Sequence, residues 1–141
     1  HMRSYGWILG ELIRRVDGRS PGRFIAEEIA APLGLDFWVG LPEREEARVA
    51  DLVPAPPPPP EMQEILDRFA GPDTLLGRVM SGPSGRFAYD ERWNRRELRA
   101  AEMPSSNGIG TARALARFYA ALLGEVDGVR LLRPETAAAA C

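Results

Sequence analysis

The sequence predicts a mostly α-helical fold with little strand, and three observations lead there. Apolar residues recur every three or four positions over several stretches, the period that lines them along one face of a helix. Only one short piece, Asp36-Phe37-Trp38-Val39-Gly40, has the aromatic and β-branched makeup of a strand. Glycine and proline punctuate the chain where the helical periods end, at Gly18, Pro32, Gly34, Pro54 and Gly124. The reading is one helical domain over residues 3–141, with about five or six helices and no internal repeat.

The elements follow in order. From Tyr5 to Val16, residues Ile8, Leu9, Leu12, Ile13 and Val16 make an apolar stripe, with Glu11, Arg14 and Arg15 on another face. Glu11 precedes Arg15 by one helical turn, the favourable order for an ion pair, and Gly18 reads as the residue that closes the helix. Ser20-Pro21 is a capping residue followed by a first-turn proline, opening a second helix through Phe24, Ile25 and Ile29 to Ala31. Pro32 and Gly34 are expected to stop it. Asp36–Gly40 reads as a lone strand or extended turn, and the charged stretch Glu43–Asp51 leaves helix and extended chain both open. Residues 53–60, with Pro54 and Pro56 through Pro60, predict a stiff polyproline connector on the surface. Beyond it, Met62, Ile65, Leu66 and Phe69 mark a third helix, and Leu75, Leu76, Val79 and Met80 a shorter fourth. Ser81–Asp90 reads as loop, and Glu91–Ala101 as weakly helical. Thr111 caps a helix carrying Leu115, Phe118, Tyr119, Leu122 and Leu123 that ends at Gly124; Asp127-Gly128 signals a turn, and Pro134 opens a last helix.

Composition narrows the chemistry. With 45% hydrophobic and 27% charged residues, the makeup is that of an ordinary globular domain, long enough to bury a core. A net charge of −2 offers nucleic acid no electrostatic attraction, and no apolar run is long enough to span a bilayer. All 18 basic residues are arginine, which points to a GC-rich genome and excludes a lysine nucleophile, a lysine base and a P-loop from these residues. The only histidine, His1, reads with Met2 as a cloning scar. Cys141 is the only cysteine, so no disulfide, no Cys/His metal cluster and no cofactor is expected. Localisation stays open, leaning to the cytoplasm.

The most informative segment runs from Met103 through Pro104, Ser105, Ser106, Asn107, Gly108, Ile109, Gly110 and Thr111 into Ala112-Arg113-Ala114-Leu115-Ala116-Arg117-Phe118. Physically it is a polar, glycine-containing loop that delivers the backbone into a helix cap. A second block runs from Tyr5-Gly6-Trp7 through Gly10, Gly18 and Ser20 to Ile29-Ala30-Ala31-Pro32-Leu33-Gly34-Leu35. Together, in this order, the two blocks resemble the penicillin-binding, class C β-lactamase-like serine hydrolases. The Phe37–Pro42 piece and the proline run are similar to the esterase branch. The block from Tyr5 to Leu35 looks like the helix pair that follows that family's tyrosine motif, and the segment from Asn107 onward like its Gly-Gly-x-x-Ser/Thr-Thr-Ala helix start.

The resemblance implies the helical subdomain of an α/β serine hydrolase, lacking most of the sheet. It implies an acyl-enzyme on a serine activated by lysine and tyrosine, a small ester or amide substrate, and a substrate-facing wall made by Ser105, Ser106, Asn107 and Gly108. The sequence contains no Ser-x-x-Lys and no Lys/His-Thr-Gly, so no residue here is assigned a catalytic role. Tyr5 reads as packing, because the family's tyrosine falls about six positions before Gly6. The expectation is a piece of a longer hydrolase, inactive by itself, whose exposed apolar face invites self-association. The alternative is a free-standing helical binding module. Each site residue also has a plainer reading: Ser-Ser-Asn-Gly suits any turn that starts a helix. Arg95, Arg96 and Arg99 either gather a carboxylate or form a solvated helix face, the second being preferred. The neighbouring pairs Glu27-Glu28 and Asp90-Glu91 do not share a helix face and make no glycosidase pair.

Overall fold

The computed structural model describes residues 4–81 and 90–140. Helix α1 spans Tyr5–Asp17 and closes at Gly18, whose backbone is left-handed (φ 89°) and whose N–H donates to the Arg14 carbonyl. Helix α2, Pro21–Ile25, starts where the sequence places it: Ser20 Oγ accepts from Arg23 N–H and Pro21 fills the first turn. The helix does not stop at Pro32. A π-helical turn over Ala26–Ala30 leads straight into α3, Ala31–Leu33, and the Ala31 N–H reaches back five residues to Ala26. Widening the turn before a proline relieves the clash its ring would make with the carbonyl one α-turn earlier.

Strand β1, Phe37–Val39, is not alone. It pairs antiparallel with β2, Gly108–Gly110, with Trp38 opposite Ile109. The partner is the loop segment that the sequence reads as a turn, because Gly-Ile-Gly carries almost no strand signal. Between the strands lie a 3₁₀ turn at Glu43–Arg48, helix α4 (Pro60–Ala70), helix α5 (Leu75–Ser81), a second 3₁₀ turn at Glu91–Asn94 and helix α6 (Arg96–Ala100). Helix α7, Ala112–Leu123, begins with Thr111 Oγ1 accepting from Ala114 N–H, as expected. Asp127-Gly128 forms the turn of a small bridge between Val126 and Val129, and α8 covers Pro134–Ala140. Most of the Ser81–Asp90 loop lies outside the described residues.

The core is small: Leu33, Val39, Leu41, Trp93, Met103 and Ala121 are among its buried members. Helices α1, α4, α5 and α7 keep large apolar side chains at the surface, including Ile8, Leu12, Ile65, Phe69 and Tyr119. The total exposed surface is 10205 Å², against roughly 7200 Å² for a compact monomer of 15.5 kDa. Among the described residues no helix is long and apolar enough to cross a membrane.

Candidate functional site

The loop between α6 and β2 is held by one side chain. Asn107 is buried, its Oδ1 accepts from Met103 N–H at 3.0 Å, and its Nδ2 donates to the carbonyls of Leu98 (2.8 Å) and Ala101. Both N–H donors and one lone pair of the oxygen are thereby engaged inside the protein, so the amide braces the loop from within. Backbone bonds from Ser106 and Asn107 N–H to the Met103 carbonyl complete the turn. Glu102, at the head of the loop, ties it to the start of α2. Its carboxylate accepts from Ser20 Oγ at 2.7 Å and from Gly22 N–H at 2.8 Å.

Two glycines allow this seating. A Cβ on Gly6 would lie 2.4 Å from the Pro104 carbonyl oxygen and 2.7 Å from Ser105 N, and a Cβ on Gly22 would lie 2.1 Å from the Val39 carbonyl oxygen. Only a hydrogen fits at either place, so α1 and α2 approach the loop and β1 backbone to backbone. The two sequence blocks that carry the resemblance thus meet in space, with the first turn of α1 against Pro104 and Ser105.

On the other side of the loop an open cleft of about 530 Å³ is lined by Ser106, Asn107, Gly108 and Ile109, and by Trp38, Trp93 and Leu98. Of the four residues expected to form a substrate-facing wall, Ser106, Asn107 and Gly108 lie along it. Ser105 does not line the cleft; its Oγ is buried and makes no hydrogen bond among the described residues. The rim is an extended stretch through Val49, Ala50 and Leu52, held by Asn94. Asn94 Oδ1 accepts from Leu52 N–H at 2.7 Å, and its Nδ2 donates to the Leu52 carbonyl at 2.9 Å, as a strand neighbour would.

The arginines at the cleft are not a solvated face throughout. Arg99 is 7% exposed and donates to Glu46 Oε1 at 2.7 Å and Asp51 Oδ1 at 2.6 Å, while its backbone carbonyl accepts from Leu41 N–H. Hydrogen bonding to Glu46, opposed by burial, raises its already high pKa, so it stays charged. The sequence hides this because Glu46 and Asp51 are far from Arg99 along the chain. Arg95, by contrast, is exposed, and Arg96 bonds the Leu41 carbonyl at 2.8 Å. Trp93 and Trp38 were missed as site residues: aromatic residues near a helix or strand read as core unless the cleft beside them is known.

These features define one wall, built from helix and loop, of an open cleft. The family model for beta-lactamase matches residues 1–140, and the chain belongs to that family. It is 33% identical to the esterase/beta-lactamase LipL of Mycobacterium tuberculosis (strain ATCC 25618 / H37Rv), over 96% of this chain and 32% of the relative. The structure of a penicillin-binding protein homologue from Caulobacter crescentus superposes with a TM-score of 0.73 at 36% identity, covering 98% of this chain and 34% of that one. EstA from Arthrobacter nitroguajacolicus Rue61a gives 0.70 at 30% identity, covering 96% and 36%. The chain therefore spans about a third of the length of these relatives.

Proposed function

We propose that this chain is the helical part of a longer serine hydrolase of the esterase type, whose nucleophile and general base lie on segments outside the sequence described. One observation carries this reading: the first turn of α1 sits directly against Pro104-Ser105, joined through Gly6. In the resembled family the tyrosine base precedes this helix, so the fold would set that tyrosine beside the 105–108 loop. Acyl transfer needs such an arrangement, with a proton acceptor near the nucleophile and a wall that orients the ester. The chain alone has no Ser-x-x-Lys and is expected to be inactive.

The exposed apolar faces support the same reading over that of a free-standing module. A surface well above that of a compact monomer, rich in Leu, Ile and aromatic side chains, needs a covering. We propose that the remainder of the hydrolase supplies it, and that the chain alone pairs with itself. The gene sequence preceding Arg3 tests the class. A Ser-x-x-Lys motif is expected there, and the longer protein should hydrolyse p-nitrophenyl butyrate until that serine is changed to alanine. A gene without the motif, or turnover by the present chain after repurification, overturns the proposal.

A further inference from the structure

Among the described residues, the rim of the cleft at 49–52 is held chiefly by polar bonds from Asn94 and Arg99. Val49 leaves the 3₁₀ turn in extended conformation (ψ 122°), and Ala50, Asp51, Leu52 and Val53 are all exposed. Beyond them Pro54 and the run Pro56 through Pro60 have no backbone N–H, so the chain there offers almost no donors with which to bond a neighbour. Asn94 brackets Leu52, accepting from its N–H and donating to its carbonyl, and Arg99 Nη2 reaches Asp51 Oδ1 at 2.6 Å. Both of these side chains belong to the cleft's lining, as do Val49, Ala50 and Leu52.

The two ends of the Asp51–Arg99 bond are unequal. Arg99 is buried, whereas the Asp51 side chain is 75% exposed. When Asp51 lets go, its carboxylate passes into water that already hydrates it. Arg99 then stays paired with Glu46 Oε1 at 2.7 Å, within 3.4 Å of Asn94 Oδ1, and its backbone carbonyl keeps the bond from Leu41 N–H. No charge is left buried and unpaired, so the bond breaks at small cost although one of its partners is buried. From this we infer that residues 49–52 form a strap, latched at the rim of the cleft by Asn94 and Arg99, and that its release governs how freely small molecules reach Trp38 and Trp93. Segments that open locally have few buried apolar contacts and bonds exposed to solvent, which describes this stretch. The strap goes beyond the hydrolase reading and does not depend on it, since it gates whatever the cleft takes.

Hydrogen exchange of the 141-residue chain, read amide by amide in NMR spectra, tests the latch. The Leu52 N–H should exchange more slowly than an unbonded amide, despite its exposed surroundings. Asp51→Ala should speed it about tenfold, as the loss of one charge-assisted bond implies. Asn94→Ala, which removes both bonds to Leu52, should speed it further. In both variants the amides of Phe24 and Leu115, bonded to the Ser20 and Thr111 carbonyls, should keep their rates. Sodium chloride at about 0.5 M should act on the unaltered chain as Asp51→Ala does, by screening an exposed carboxylate, and add little to that variant. Access to the cleft is read separately, by acrylamide quenching in a Trp7→Phe background that leaves Trp38 and Trp93 as emitters. There Asp51→Ala should raise the quenching constant about twofold, as a site open for more of the time predicts. A Leu52 amide without protection, equal acceleration of Leu52, Phe24 and Leu115, or salt acting equally on both chains would overturn the latch. Faster Leu52 exchange without greater quenching would overturn its control of the cleft.

Discussion

The region around β1 and β2 and the hairpin of α4 and α5 use helices of similar amphipathic pattern, but they are held in different ways. Around the strands, bonds join residues far apart in sequence: Ser20 and Gly22 with Glu102, and Arg117 Nε with the Leu33 carbonyl at 2.8 Å. In the hairpin three side-chain bonds among the described residues are local. Gln63 donates to Asp67, and Thr74 Oγ1 donates to the Gly71 carbonyl while accepting from Gly77 N–H. Helix α4 buries none of its own residues and packs chiefly with α5; Phe69 is 69% exposed. Amphipathicity alone thus specifies a helix but not a docking site. Docking here comes from glycines that admit a backbone, and from single side chains that bond several elements at once.

Breaking the comparison at its strongest point should give the largest effect. Asn107→Leu removes three internal hydrogen bonds and leaves the Leu98 and Ala101 carbonyls and the Met103 N–H without their partner. A loss of about 3 kcal/mol or more is expected, a large share of a small domain's stability, seen as a lowered thermal midpoint by circular dichroism. Gly22→Ala should follow at about 2 kcal/mol, since its Cβ would meet the Val39 carbonyl and move α2 away from β1. The hairpin should behave in the opposite way. Ile65→Gln with Phe69→Ser should change stability by no more than about 0.5 kcal/mol, because these side chains are exposed, while reducing self-association in light scattering.

The smallest effect sharpens the point that local bonds count for little even in the well-knit region. On α1, donation from Arg14, then from Arg15, lowers the Glu11 carboxyl from 4.5 to about 2. A carboxyl lowered in the folded state adds stability that is present above its ordinary value and disappears as pH falls through that lowered value. Glu11→Gln should therefore flatten the acid limb of the stability profile slightly and leave neutral-pH stability nearly unchanged, since the pair is solvent-exposed.

Much of this was legible beforehand, for a reason visible in particular residues. Ser20, Thr111 and Gly18 act on groups within four positions of themselves, so their capping roles follow from local order. The apolar stripes of α1, α4 and α7 are likewise properties of spacing, as is the break at the proline run. The membership of Ser106–Gly108 in a cleft wall was legible only through resemblance, and the inward turn of Asn107 was not legible at all. Nothing local to it distinguishes an asparagine that faces a guest from one that closes a turn.

By itself the sequence determined the helix limits at Gly18, Ser20, Thr111 and Gly124, and that the chain carries no lysine for acyl transfer. Only the tertiary structure decided that Gly108–Gly110 is a strand and that Arg99 is buried between two carboxylates. Periodicity and caps act within a turn or two of the chain, whereas strand pairing and buried ion pairs join residues tens of positions apart. Which of the many possible partners they find depends on how the backbone between them folds.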